Sequence, residues 1–540
     1  MDKLPIVYVR GYAGPTAGVD AAVDDPFYGF NRGATHVRVG GDGDPMFYQF
    51  EGPLLRLMTD EGYELPVRGN QRQYLADAAN VPVASLWVHR FYDQAATTFM
   101  PPPHQSVLRH VFGKLHQQVT ADGFDIESAA KDLYELITAV RDKSGAPKVY
   151  LVAHSMGGLV ARCMMQKICR EPGARRLPAK ELVAKFFTYG TPHGGIAFQL
   201  GALDWAEETF GPVGSSIFAP EKMYGYLTPG ASFGDVPPRG TTWDPQEVPE
   251  EVFAADDIFC LIGTDPKDYG PSRLVVGPKS DGLVRIENAY VRRAHRAYVY
   301  KSHSGRYGEV NSEEGYQNLR RFLLGRWRVQ VDLIGLPDTA AAPADVWQAD
   351  MRLSIRGLPI VMSERTAAHW CPIQLDEEIR GTRNSTEDAV TLVTVFLLEP
   401  GRATGGPTPL SAAPHEGRMR YTLTLRVFKL RERDGGFDFA DHLEQVPDWQ
   451  DWLIVDIGTG PDGSGLRAWA AWNSMVNGSY DQFDPITAGL PAGQQDPIAF
   501  EPEGDCHTGE VELPPGARLL PALGDGSRLR ITVYDREARR

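Results

Sequence analysis

One short segment, residues 148–160, restricts the possible folds of this chain more than any other. It reads Lys148-Val-Tyr-Leu-Val-Ala-His-Ser-Met-Gly-Gly-Leu-Val160, an apolar run of strand type that passes through a turn of small residues into a helical pattern. A serine on such a turn stands clear of the sheet, because small neighbours, here Ala153 and Gly157, let strand and helix approach. The free N–H groups that begin the helix favour negative charge there. The pattern makes Ser155 the candidate nucleophile; the alternative is a chance serine in a strand–helix turn.

Around this segment, the first 325 residues alternate apolar runs with helical patterns, which is typical of βαβ units. The predicted strands are 6–9, 85–91, 149–153, 185–189, 258–263 and 297–300. The clearest predicted helix is 125–143, where apolar residues form one stripe. Asp125 is its expected N-cap and Gly145 its expected end. A second helix follows Gly157, and a third is predicted over 312–324.

After about residue 325 the apolar period changes from 3.6 to 2. Trp327, Val329, Val331 and Leu333 alternate with polar residues, and the same alternation recurs in 351–355, 421–427 and 529–533. Alternation of this kind indicates half-buried strands of antiparallel sheets. We therefore expect two domains, an α/β domain over 1–325 and an all-β, sandwich-like domain over 327–540. The second domain could bind a lipid surface, a polymer or a partner protein, or it could only stabilise the first domain, and the sequence does not choose between these roles.

Composition and charge exclude several classes of protein. The formal net charge is −15, opposite in sign to a broad nucleic-acid interface. No stretch approaches the ~18 apolar residues of a membrane span, and no signal peptide precedes the first predicted strand. The five cysteines are scattered without metal-ligand spacing, which is typical of a reduced cytosolic protein. The histidines form no zinc pattern, so we expect no metal, and we predict no cofactor. These features favour the cytoplasm, with signal-less export and peripheral membrane contact left open; the oligomeric state is not predicted.

The Ser155 turn resembles that of α/β-hydrolase lipases and esterases, and its form with Ala153 resembles small bacterial lipases. Tyr189-Gly-Thr-Pro-His-Gly-Gly195 is similar to a segment of lipases and glycosylphosphatidylinositol-deacylase-like proteins. The resemblance covers about residues 4–325, with a poorer fit over 24–80 and 200–255. It implies an α/β-hydrolase fold with a mostly parallel central sheet and cap insertions.

The resemblance also implies an oxyanion hole made of backbone N–H groups. One donor would be Met156, directly after the nucleophile. The second would be Tyr12, in the loop after the first strand. In the family a histidine usually stands where this chain has Arg10. Since the donor is main chain, the role can survive that change; the alternative is a simple glycine turn.

The acid and the base of a triad should follow the nucleophile in the order acid, then histidine. Asp281 lies in an Asp-Gly-Leu-Val string that resembles the acid loop of lipases, with Asp265 and Asp268 as competitors. The alternative for Asp281 is an ordinary Asp-Gly turn with no catalytic role. His303 follows the last predicted strand and is the expected base, whereas His295 precedes that strand.

Two further histidines lie close to the motifs. His154 precedes the nucleophile and is expected to point away from it, and His193 is expected to be a wall or packing residue. The insertions 24–80 and 200–255 are rich in aromatic residues, and they either cap the site or form small cores of their own. As substrate contacts we select Phe218, Tyr224 and His193.

Together these features predict a serine hydrolase that cleaves carboxylic esters through an acyl-enzyme. A phospholipase, a thioesterase or an acyltransferase would use the same triad. A binding protein with a vestigial hydrolase fold is the alternative of another class.

Overall fold

The structure is a computed structural model that describes most of the chain. The described residues are 3–11, 34–39, 45–50, 52–66, 71–89, 125–173, 175–196, 217–267, 276–303, 308–337, 346–375, 389–398, 419–430, 446–459, 466–476, 498 and 500–537. The chain divides into two compact units, one of residues 2–296 with 301–316 and one of residues 317–540 with 297–300.

A six-stranded sheet forms the centre of the first unit. Its strands are β1 (Ile6–Val9), β4 (Leu86–His89), β5 (Val149–His154), β6 (Val183–Tyr189), β7 (Ile258–Gly263) and β8 (His295–Val299). They lie in the order β4-β1-β5-β6-β7-β8, and the pairs from β4 to β7 are parallel. The strand order reverses between β1 and β5, the place where open α/β sheets bind ligands at the carboxyl ends of their strands. A separate hairpin joins β2 (Ala34–Val39) and β3 (Pro45–Phe50).

Helices accompany this sheet. They are α1 (Gly52–Glu61), α2 (Gln71–Asp77), α3 (Ile126–Ser144), α4 (Met156–Gln166), α5 (Ala179–Leu182), α6 (Met223–Leu227) and α7 (Glu313–Leu324). The expected caps of α3 are confirmed: the Asp125 carboxylate accepts a hydrogen bond from the Glu127 amide, and Gly145 ends the helix with φ 69°. Glycine suits that end because it adopts positive φ without steric cost.

The described part of the second unit contains antiparallel sheets, residues 317–324 of α7 and the short helix α8 (Pro515–Arg518). Its strands are β9 (Trp327–Ile334), β10 (Trp347–Ile355), β11 (Val361–Arg365), β12 (Ile373–Gln374), β13 (Ala389–Leu397), β14 (Met419–Lys429), β15 (Trp449–Thr459), β16 (Leu466–Trp472), β17 (Glu501–Glu503), β18 (Cys506–Glu512) and β19 (Arg528–Asp535). One sheet runs β11-β10-β14-β15-β16, with β12 also paired to β10, and the other runs β13-β9-β19-β18-β17. Alternate side chains of both sheets, such as Val331, Leu423 and Ile531, form one hydrophobic core.

The fold class expected from the sequence, a mostly parallel α/β sheet followed by antiparallel all-β sheets, is confirmed. Strand bounds differ by a residue or two: β6 begins at Val183 rather than Lys185, and β8 begins at His295 rather than Ala297. Within the described residues, no helix combines the length and the apolar character needed to cross a membrane.

Candidate active site

The turn after β5 holds Ser155 in a conformation that few residues adopt. Its φ is 53° and its ψ is −129°, outside the regions that side chains with a Cβ normally occupy. Backbone hydrogen bonds fix this geometry, because the Ser155 amide donates to the Tyr189 carbonyl at 2.9 Å. The Ser155 carbonyl accepts from the Thr191 hydroxyl at 3.0 Å. The turn is therefore held from β6 and the loop that follows it.

Ser155 is the first member of a continuous chain of hydrogen bonds. Its Oγ lies 2.9 Å from Nε2 of His303, and Nδ1 of His303 lies 2.8 Å from Oδ2 of Asp281. The other carboxylate oxygen of Asp281 accepts from the amides of Leu283 and Val284, at 2.9 and 2.7 Å. Because Nδ1 donates to a carboxylate, Nε2 is left to accept the serine proton. The structure thus brings the three predicted triad residues together in the expected order.

All three side chains are withdrawn from solvent: Asp281 and His303 are fully buried, and Ser155 is 8% exposed. Asp281 belongs to the loop between β7 and β8, and His303 follows β8. The His303 amide also donates to the Asp281 carbonyl at 2.9 Å, so backbone and side chain both join the two residues.

Glycines allow the elements of the site to meet. A methyl group on Gly157 would overlap the Val9 carbonyl oxygen, so the first turn of α4 packs directly on β1. A methyl group on Gly11 would lie 3.0 Å from Cβ of Ser155. The end of β1 therefore passes directly beside the nucleophile.

The loop after β6 supports the turn rather than supplying a base. A methyl group on Gly158 would overlap the Thr191 side chain, which also holds the Ser155 carbonyl. His193 is fully buried, and its Nε2 lies 3.1 Å from Oγ1 of Thr188. Burial and the charge of Arg162 hold the pKa of His193 well below its usual range. These contacts are those of a neutral packing residue.

The remaining sequence candidates fall in several places. Tyr12 and Asp268 lie outside the described residues, whereas Met156 begins α4 and is buried. The Asp265 carboxylate accepts from the Lys267 amide at 2.9 Å, while His303 is paired with Asp281. Phe218 is buried, and Tyr224 keeps partial exposure in an edge-to-face contact with Trp243.

The described part of the insertion, 217–255, is joined to residues outside it. Apolar side chains such as Met223, Tyr226 and Phe253 are buried there. Buried polar side chains fasten it: Nζ of Lys167 donates to the Gly225 and Ala231 carbonyls at 2.8 and 2.6 Å. These contacts fasten this part of the insertion to the end of α4.

Two titratable residues at the site were not predicted. Nε2 of His154 donates to the His303 carbonyl at 3.1 Å, and the centres of the two imidazole rings lie 5.0 Å apart. His154 therefore packs against His303 and holds its backbone. Glu309, after His303 on the same loop, is fully buried beside Asp281. Burial and the Asp281 charge raise the pKa of Glu309 well above its usual range, and the Gly263 amide opposes this shift.

Among the described residues, His154, His303 and Glu309 are the one group of three that could supply metal ligands. Their ligand atoms all lie within 4.8 Å of one another. A cation held there would engage His303, which already contacts Ser155 and Asp281. Such an ion would therefore compete with the hydrogen-bonded chain instead of assisting it.

Parts of the chain are similar to known proteins. The crystal structure of the product of the gene lin2722 from Listeria innocua aligns with 14% sequence identity over 60% of this chain and 94% of that chain, with a TM-score of 0.23. At that TM-score the fold assignment rests on the strand order of the sheet itself. A search of curated proteins returned no significant match. Over residues 100–210, which include Ser155 and the loop after β6, the chain matches the family described as "Putative serine esterase (DUF676)".

Proposed function

We propose that this protein is a serine hydrolase that cleaves carboxylic esters, with Ser155 as nucleophile, His303 as general base and Asp281 as the acid that orients it. The observation that carries the proposal is the hydrogen-bonded chain from Ser155 through His303 to Asp281, which begins on a strained strand–helix turn. The family match over residues 100–210 supports the same class of chemistry.

In this mechanism the Ser155 oxygen attacks the acyl carbonyl while its proton passes to Nε2 of His303. Asp281 stabilises the imidazolium, because its carboxylate is held by two backbone amides and stays in line with Nδ1. The N–H of Met156, and that of Tyr12 in the loop after Gly11, are the proposed oxyanion donors. His303 returns the proton to the departing alcohol, and water then cleaves the acyl-enzyme in the same manner.

The first experiment is labelling by a fluorophosphonate, which reacts with activated serines. Wild type should label, Ser155→Ala should not, and His303→Ala should label far more slowly because its serine has lost the base. Ser232→Ala is the matched control, since this serine is exposed and lies in another segment. Labelling that persists in Ser155→Ala, or folded wild type that does not label, would overturn the proposal.

The acyl group is addressed by a second experiment with p-nitrophenyl esters of rising chain length, followed by a panel of phospholipids and thioesters. Of the three substrate contacts expected from the sequence, Phe218 and His193 are buried packing residues, and we propose only Tyr224. Tyr224 is the partly exposed one of the three. Tyr224→Ala should raise KM for long acyl chains more than for acetate. An equal change for both would remove Tyr224 from the acyl site.

A further inference from the structure

The carboxyl group of Glu309 is buried close to the carboxylate of Asp281. Its side chain has no exposure, and neither carboxyl oxygen makes a hydrogen bond of good geometry with the described residues. The Gly263 amide favours the charged form, but a buried carboxylate without a well-formed hydrogen bond is costly, and a neighbouring carboxylate adds to the cost. Glu309 therefore needs either a proton or a compensating group.

Its position is fixed by the loop that also carries His303. The Glu309 amide donates to the Ser302 carbonyl at 2.8 Å, and the Glu309 carbonyl accepts from the Ser312 hydroxyl at 2.8 Å. A methyl group on Gly315 would overlap the Glu309 carbonyl oxygen. The carboxyl group is thus held at the site by main-chain contacts on both sides.

Two glycines show how closely the second carboxyl approaches the first. A methyl group on Gly190 would overlap Oε1 of Glu309 and lie 2.9 Å from Nδ1 of His303 and 3.0 Å from Oδ2 of Asp281. A methyl group on Gly263 would lie 2.8 Å from Cβ of Asp281 and 3.3 Å from Oε2 of Glu309. One small space, bounded by two backbones without side chains, therefore contains both carboxyl groups and the inner nitrogen of the base.

We propose that Glu309 is a positioning residue of this site. Its protonated carboxyl packs against the Asp281–His303 pair, keeps a single negative charge behind the base, and becomes the acid that orients His303 when the Asp281 carboxylate is removed. The inference rests on the proposed function. The titratable groups that face Glu309 are Asp281 from the β7–β8 loop, His303 from its own loop and His154 from the end of β5.

The test is a double-mutant cycle on the full chain, with kcat/KM for p-nitrophenyl butyrate as readout. Loss of the acid from a triad costs about 10⁴-fold when nothing replaces it. We expect Asp281→Ala to lose about 100-fold, because Glu309 can serve Nδ1 of His303, and Asp281→Ala with Glu309→Gln to reach the full loss of about 10⁴-fold. The fold loss of kcat/KM caused by Glu309→Gln should thus be about tenfold or more larger in the Asp281→Ala background than in wild type. Equal costs in both backgrounds would reduce Glu309 to a packing residue.

Asp281→Asn provides the matched control. The side-chain oxygen of the new asparagine would keep the bonds from the Leu283 and Val284 amides, which directs its NH₂ group at Nδ1 of His303 and fixes the wrong tautomer. Glu309 cannot correct that tautomer. Adding Glu309→Gln to Asp281→Asn should therefore cost little, and a large further loss would contradict the proposed role.

The pH profile separates an electrostatic role from a structural one. The acid limb of kcat/KM in Asp281→Ala should lie at higher pH than in the double variant, because a Glu309 carboxylate beside the imidazole favours the charged form of the base. Coincident limbs would overturn the proposal.

A second measurement needs no change at Asp281. If Glu309 is neutral in wild type, Glu309→Gln replaces one neutral group by another and leaves the acid limb where it is. A limb that moves to lower pH would show that Glu309 is ionised and would overturn the proposal. Wild type without labelling and without esterase activity would instead overturn the proposed function.

Discussion

The guanidinium group of Arg162 lies in the interior, where it donates a hydrogen bond of 3.1 Å to the carbonyl oxygen of His193. It also donates to the Glu247 carbonyl at 3.0 Å and to Oε1 of Gln166 at 2.8 Å. One side chain from α4 thus joins the loop after β6 to the segment that follows α6. Burial lowers the pKa of Arg162 to about 10, so it still carries its charge near neutral pH.

Replacing Arg162 by Met should destabilise the first unit by about 2 kcal/mol, because the buried His193 carbonyl loses its donor. The stability of Arg162→Lys should lie between those of wild type and Arg162→Met, because an ammonium group cannot make all the hydrogen bonds of the planar guanidinium group. Urea unfolding of both variants tests this, with the exposed Arg170→Met as control. An Arg162→Met protein as stable as wild type would show that relief of charge burial balances the lost bonds.

Strain at Ser155 should appear as stability gained when the residue is changed to glycine. Glycine adopts a φ of 53° freely, whereas alanine retains the steric cost of a Cβ. We expect Ser155→Gly to exceed Ser155→Ala in unfolding free energy by about 1 kcal/mol, with both inactive. Since neither variant has the serine hydroxyl, the difference between their unfolding free energies measures the cost of the strained backbone at residue 155. Equal stabilities would mean that the turn relaxes without cost.

A methyl group at Gly157 should reverse the usual effect of a helical Gly→Ala change. Alanine normally stabilises a helix interior by about 1 kcal/mol, but here the methyl group would meet the Val9 carbonyl oxygen. We expect Gly157→Ala to destabilise the first unit by about 3 kcal/mol and to slow fluorophosphonate labelling. Gly516→Ala in α8 is a useful contrast, because its methyl group would have its nearest neighbour, Trp449, at 3.6 Å. Stabilisation by Gly157→Ala would contradict the close approach of α4 to β1.

The first unit should lose stability in mild acid through His89. Burial lowers the pKa of His89 to about 4 in the folded chain, although the charge of Asp132 opposes the shift. The unfolded chain takes up that proton near pH 6.5, so stability falls as the pH drops from about 6.5 to about 4, by about 3 kcal/mol in total. His89→Gln keeps a donor toward the Ala129 carbonyl, which lies 3.2 Å from Nε2 of His89, and removes the titration. Unfolding free energies at several pH values should show a shallower slope for the variant; parallel slopes would exclude His89 as the source.

The strand–turn–helix at Ser155 could be predicted because its determinants are local. The apolar run, the small residues at 153, 157 and 158, and the serine between them are adjacent in the sequence, and each has a steric purpose that the structure shows. His303 is selected by chain order and its position after a strand, and Asp281 by the resemblance of its Asp-Gly-Leu-Val string to the acid loop of lipases. In the structure His303 hydrogen-bonds both Ser155 and Asp281.

Glu309 could not be found in this way. It lies next to Gly308, which pairs with Ser302 beside His303, and no periodic pattern in the sequence marks that pairing. Arg162 did carry a signal, since an arginine inside the otherwise apolar helix Met156–Gln166 has no solvent-facing side to occupy. Pattern analysis alone overlooks Arg162, because arginine is a good helix former and is therefore ordinary within a predicted helix.

The pairing of β9 with both β13 and β19 has a consequence for biosynthesis. Trp327 at the start of β9 pairs with Asp535 of β19, so one side of β9 is completed by a strand from the far end of the same unit. During translation, β9 leaves the ribosome long before β19, and until then it offers an open row of backbone donors and acceptors. A nascent or truncated chain that lacks β19 would therefore expose a ready template for aggregation, which makes this strand the one to protect when shortened forms of the chain are expressed.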